Sequence, residues 1–163
     1  MAKKLPEIYI RRDLREKDGQ GWYFDSEDKK PGKVRILGTT FESMDAADYS
    51  IQGYEDLVRI ERKMGFRELF TNLFDKDNKE RFEIELTKLS SVKYKYLIVE
   101  SSINEDIMSL SVPQYKGYGP PTSKIINMLY EYQLDFDIIP IFAGDCGKKI
   151  AAQIFKSIAH RFL

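Results

Sequence analysis

Two carboxylates and an amine are spaced in this chain so that one face of a sheet could hold all three. The segment LVRIERK, residues 57–63, alternates in polarity. Period two places Val58, Ile60 and Arg62 on one face and Arg59, Glu61 and Lys63 on the other. DYSI precedes it at 48–51, and the QGYED between them predicts a hairpin. A turn about Tyr54 and Glu55 sets Asp48 opposite Glu61, with side-chain origins about 5 Å apart. Two like charges at that spacing are unfavourable unless a cation lies between them, and oxygen ligands suit Mg²⁺ or Mn²⁺. Such an ion polarises a phosphodiester oxygen and lowers the pKa of a bound water. Lys63 would orient or help deprotonate the nucleophile and offset transition-state charge. The chemistry expected is metal-assisted phosphodiester hydrolysis. The hairpin setting carries this expectation, because acid-x-Lys triplets also occur at Glu27, Asp28 and Asp77.

The elements that must position these groups are legible in outline. IYI from Ile8 and VRIL at 34–37 read as strands, separated by a charged, Gly- and Asp-rich loop that holds Trp22, Tyr23 and Phe24. After the hairpin, Phe66, Leu69, Phe70, Leu73 and Phe74 fall at helical spacing, as do Phe82, Leu86 and Leu89. YLIV at 96–99 and FDIIPIF further on read as strands covered on both faces. Residues 101–121 read as irregular, ending in QYKGYGPP, after which Thr122 would cap a helix bearing Ile125, Met128, Leu129 and Tyr132. A last amphipathic helix carries Ala151, Ile154, Phe155, Ile158 and Phe162. This order predicts an α/β fold with a mixed central sheet flanked by helices.

Composition narrows the classes. The 163 residues carry 26 Lys plus Arg against 26 Asp plus Glu, which excludes a grossly basic coat protein and an acidic tail protein. With 42% apolar residues the chain can bury a core, and its length suits one domain. Its single Cys, Cys146, rules out an internal disulfide and, with one His, a Cys/His zinc site. No uncharged apolar run approaches the roughly 20 residues that span a bilayer. A soluble, intracellular, cytoplasmic protein is expected.

The three motifs, in order, resemble the XPF-like structure-specific endonucleases of the PD-(D/E)XK superfamily. RRDLRE supplies Asp13, Arg15 and Glu16; ADYSI supplies Asp48 and Tyr49; IERK supplies Glu61, Arg62 and Lys63. RFEIEL, KYLIVE and PPTSKIINMLYEY with DIIPIF look like the rest of the same domain, so the resemblance runs from about Ile8 to the end. It implies a restriction-endonuclease-like fold and Mg²⁺- or Mn²⁺-dependent cutting of DNA at flaps, forks or other branches. Asp48, Glu61 and Asp13 would serve the metal, Lys63 the water, and Arg15, Glu16 and Arg62 would shape the site. It also implies a homodimer, for which the apolar stripe of the last helix offers a surface. Two positions depart from the family pattern: Ala47 stands where a Gly usually precedes the first hairpin acid, and Arg67 where an acid is expected, with Glu68 beside it. The helix-hairpin-helix module that commonly follows is absent before Leu163.

Binding to DNA would draw on a local basic rim, in which four bases face one acid from Arg59 to Arg67. Arg59 and Arg67 are the candidates there, and Lys116 and Tyr118 in the QYKGYGPP segment could contact a phosphate and stack on a base. The bland reading of any one of these charges is a surface salt bridge. His160 near the last helix's C-terminus and Cys146 are read as structural. The rival functions are a non-catalytic DNA-binding or scaffold subunit, an RNA-directed relative, and an accessory replication or recombination factor.

Overall fold

The computed structural model describes residues 5–17, 19–104, 108, 111–114 and 117–163, with backbone alone for the described part of 111–120. Among the described residues there are eight strands: β1 (Glu7–Arg12), β2 (Arg35–Phe41), β3 (Tyr49–Ile51), β4 (Val58–Lys63), β5 (Tyr94–Val99), β6 (Ser111–Gln114), β7 (Gly117–Pro121) and β8 (Ile139–Phe142). The longer helices are α1 (Phe66–Phe74), α2 (Lys76–Lys88), α3 (Thr122–Phe136) and α4 (Gly147–Phe162). Six strands form one sheet in the order β2-β1-β3-β4-β5-β8. The β1–β3 and β3–β4 pairs are antiparallel and the others parallel, which makes the sheet mixed.

Each face of that sheet has its own core. Ile8, Ile10, Ile51, Val58, Ile60 and Ile98 pack with Ala151 and Phe155 of α4, and with Trp22 and Phe24 from the loop after β1. The opposite face sets Leu97 and Val99 against Leu69 and Leu73 of α1, Phe82 and Leu86 of α2, and Ile125 and Leu129 of α3. β5 is therefore apolar on both sides, as its unbroken YLIV requires. The helices bury most of the stripes that their spacing predicts, although Phe162 at the end of α4 stays exposed. Among the described residues no helix is long and apolar enough to cross a membrane.

Three local expectations are corrected. Residues 111–114 and 117–121, expected to be irregular, form a separate two-stranded antiparallel sheet. Its Pro and Gly residues are turn signals, but in an isolated pair a missing N–H can face outward at no cost to a ladder. Thr122 does not cap α3: it is the first helical residue, 3% exposed, and Pro121 holds the cap position without a side-chain acceptor. β8 is an edge strand with Ile139 exposed, rather than one covered on both sides. Pro140 suits such an edge.

Candidate active site

The β3–β4 hairpin has the register that its turn length sets. Tyr49 faces Ile60 and Ser50 faces Arg59, and the turn closes with the Tyr54 N–H donating to the Ile51 carbonyl at 3.0 Å. The ladder runs one residue further, where the Asp48 N–H donates to the Ile60 carbonyl at 3.1 Å, so Asp48 sits beside Glu61. Ala47, just before it, has φ of 67°, in the left-handed region that favours glycine. That conformation is the physical reason a Gly suits the position.

Asp48, Glu61 and Lys63 line one cleft of about 650 Å³, together with Arg15, Glu16 and Arg67. Lys63 Nζ lies 2.8 Å from Glu61 Oε1 and 3.8 Å from Glu68 Oε1, above the ring of Phe82. Both members of the first pair are buried. Asp48 Oδ2 accepts the Arg62 N–H at 2.7 Å. Burial, with the charges of Glu61 and Glu16, pushes the Asp48 carboxyl well above the usual carboxylate range. Burial presses Lys63 the other way, toward loss of its proton, but Glu61 and Glu68 outweigh it and hold the pKa above that of an ordinary lysine. The ion pair with Glu61 favours the ammonium form of Lys63.

The residues fit a divalent cation of the hard, oxygen-liganded kind. Asp48 and Glu61 are two carboxylates side by side in one cleft, and burial with the charge of Glu61 raises the Asp48 pKa, a cost that a cation between them would offset. Among the described residues no three or more His, Cys, Asp or Glu side chains form a metal cage. Mg²⁺ does not need one, since it is commonly held by one or two carboxylates, waters and substrate phosphate oxygens.

Arg62 turns to the other side of β4. It binds Glu16 at 3.2 Å and Glu100 at 2.6 Å, and Trp22 Nε1 donates to Glu100 Oε1 at 2.8 Å. Glu16 therefore belongs to a network that braces the strand carrying Glu61 and Lys63. Burial raises its carboxyl pKa more than Arg62 lowers it. Glu100 and Trp22 escaped the sequence reading, although Glu100 directly follows the buried YLIV run and Trp22 is the chain's sole Trp. Glu85 of α2 also escaped it; burial and Glu61 raise its carboxyl. Glu68, beside Arg67, reaches Lys63 and accepts the Met64 N–H at 2.7 Å, while Arg67 stays exposed at the rim.

Other expected members are placed elsewhere. Asp13 is 1% exposed and does not line the cleft. Its carboxylate accepts from the Arg15 N–H and Nε at 2.7 and 2.9 Å and from the Met44 N–H at 2.6 Å. Burial would raise its pKa, but these donors lower it below the ordinary value. Asp13 and Arg15 are thus bonded to each other at the strand-to-loop turn, with Asp13 outside the lining of the cleft that holds Asp48 and Glu61. Arg59 is buried and bonded to Asp45, to the Ala46 carbonyl at 3.0 Å and to the Glu55 carbonyl at 2.9 Å, outside the lining of the cleft. Lys116 and the side chain of Tyr118 lie outside the described residues.

No family model and no curated protein matches the sequence. Among solved structures, the chain is similar to XPF from Aeropyrum pernix, with a TM-score of 0.53, 18% identity and coverage of 93% of this chain and 63% of that one. It is also similar to the same protein in complex with DNA, with a TM-score of 0.58, 15% identity and coverage of 94% and 66%. The chain spans less than two thirds of the length of either. At that identity the likeness is one of architecture, and it establishes an XPF-like fold for this chain.

Proposed function

We propose that this chain is a divalent-metal-dependent DNA endonuclease that hydrolyses phosphodiester bonds at flaps, forks or other branched DNA. The observation that carries the reading is the convergence of Asp48, Glu61 and Lys63 in one cleft, where burial and then the charges of Glu61 and Glu16 hold the Asp48 carboxyl above its ordinary pKa. The XPF-like fold, in a protein whose structure with DNA is solved, supports DNA as the polymer. Asp48 and Glu61 would hold Mg²⁺ or Mn²⁺, which when bound supplies a Lewis acid and a more acidic water. Lys63, kept protonated by Glu61 and Glu68, donates toward the scissile phosphate and offsets its growing charge. Arg67 at the rim meets a flanking phosphate. The Arg62–Glu16–Glu100 network braces β4 from its other face.

The test is cleavage of labelled single-stranded, duplex, flap and forked DNA in Mg²⁺, Mn²⁺ or EDTA. Wild type should cut a branched substrate with metal only, and Asp48→Asn and Lys63→Ala should each abolish cutting. Failure of wild type to cut any of them would remove the reading. A second reading, a non-catalytic DNA-binding subunit, is favoured by one observation: Lys63 already neutralises Glu61 without a metal. Salt-sensitive DNA binding without cutting would select it. A homodimer is part of the proposal, through exposed Ile139 on the β8 edge and the groove formed by Tyr96, Ile150 and Ile154. Sedimentation showing only a 19.1 kDa species would remove the dimer.

A further inference from the structure

An aromatic pair stands exposed beside the cleft, on a segment too firmly held for its exposure to be incidental. Tyr23 lies between Trp22 and Phe24, both buried. The Trp22 N–H donates to the Tyr49 hydroxyl at 2.6 Å. The Phe24 N–H donates to Thr39 Oγ1 at 2.7 Å, and that hydroxyl donates back to the Phe24 carbonyl at 3.0 Å. Alternation on a segment clamped at both neighbours sends Tyr23 outward. There it meets Phe41, the last residue of β2, with ring centroids 5.7 Å apart and planes at 49°. Tyr23 is 41% and Phe41 47% exposed.

A cation backs the pair. The Arg12 guanidinium, 1% exposed, lies 4.3 Å from the Tyr23 centroid and 5.8 Å from that of Phe41. The same guanidinium donates to the Glu16 and Lys17 carbonyls at 3.0 and 2.9 Å, and those two residues line the candidate cleft. One buried arginine thus fixes both the aromatic pair and the wall of the cleft. The lining of that cleft includes Lys17, Arg15 and Arg67.

We propose that Tyr23 and Phe41 form a stacking platform for an unpaired base of a single-stranded DNA segment running alongside the cleft. The proposal rests on the DNA reading above. Every base has a π face, so stacking on fixed rings tolerates any sequence, and a cation near the rings adds to it. The neighbouring positive rim suits the phosphates of the same strand. An apolar protein partner would gain nothing from those charges. Because both rings are exposed, their removal leaves the two cores intact, and thermal melting of the variants verifies that they fold.

The experiment is done in EDTA, so that no strand is cut. The full chain is titrated with fluorescein-labelled oligo(dT), with an oligo(dT) holding one 2-aminopurine, and with a blunt duplex of equal length. Wild type should bind oligo(dT) and quench the 2-aminopurine. The double variant Tyr23→Ala/Phe41→Ala should lose about tenfold in oligo(dT) affinity, together with the quench, while duplex affinity stays within about twofold. Phe41→Trp should keep both. Unchanged oligo(dT) affinity in the double variant, an equal loss on duplex, or no quench by wild type would each overturn the platform. Unchanged DNA binding with a dimer-to-monomer shift in sedimentation would assign the surface to a second copy and overturn it likewise. The two readings fail separately. A chain that stacks oligo(dT) but cuts no DNA keeps the platform and loses the nuclease; one that cuts DNA with its oligo(dT) affinity insensitive to both substitutions does the reverse.

Discussion

Lys63 Nζ lies 2.8 Å from Oε1 of Glu61, two residues back on the same face of β4, and both side chains are buried. The pair stands next to a second carboxylate, Asp48, so the ammonium stabilises two anions at once. Replacing Lys63 by Met fills similar volume but leaves Glu61 and Asp48 without a cation. Loss of one member of a buried pair costs roughly 3–5 kcal/mol. Urea unfolding at pH 7 in EDTA should show a loss of that size, partly restored by Mg²⁺. A loss under about 1 kcal/mol would mean that water already screens the pair.

Asp48 binds its proton more readily in the folded chain than in the unfolded one. The folded state therefore holds more protons between the unfolded value near 3.9 and the raised folded value, and the contribution of Asp48 to stability falls as pH rises through that window. Asp48→Asn keeps an acceptor for the Arg62 N–H and removes the repulsion. It should raise the melting temperature at pH 7 by roughly 2–4 °C for each kcal/mol relieved. Mg²⁺ at 100 times its Kd should stabilise wild type by about 2.7 kcal/mol. It should do nothing for Asp48→Asn. A variant that still melts higher with Mg²⁺ would place the ion elsewhere.

Asp13 behaves in the opposite sense. Its pKa is lowered by Arg15 and the Met44 N–H against the pull of burial, so its contribution is full above the unfolded value near 3.9 and fades as pH falls through the folded one. Asp13→Asn should cost roughly 1.5–3 kcal/mol at pH 7, the worth of hydrogen bonds to a charged group. The same variant should keep the Mg²⁺-induced rise in melting temperature. Loss of that rise would return Asp13 to the metal.

Ala47 offers a backbone test. A residue with a Cβ spends roughly 1–2 kcal/mol in the left-handed region. Its methyl, buried against the α1 and α2 side of the sheet, returns about 0.8 kcal/mol. Ala47→Gly should therefore leave stability within about 1 kcal/mol of wild type. Ala47→Val adds branching where φ is positive and should cost roughly 2 kcal/mol or more. Chemical denaturation of the two variants measures both; equal effects would mean that packing and not φ governs the position.

The sequence by itself determined what near neighbours along the chain decide. Strand alternation and a short turn set the β3–β4 register, so Asp48 met Glu61 where expected, with Lys63 on the same face. Helical spacing gave the buried stripes of α1 to α4, and the unbroken YLIV run gave a strand apolar on both faces. Tertiary structure decided which charges stay available. Arg59 shares a face with Glu61 yet is consumed by Asp45, and Asp13 by Arg15 and Met44, because those partners arrive from loops whose course no periodicity describes. Glu100 and Trp22 reach Arg62 from 38 residues downstream and from the far loop. A charge pattern names donors and acceptors; only the packed chain pairs them, since burial and distance, which set whether a charge is free, are properties of the fold.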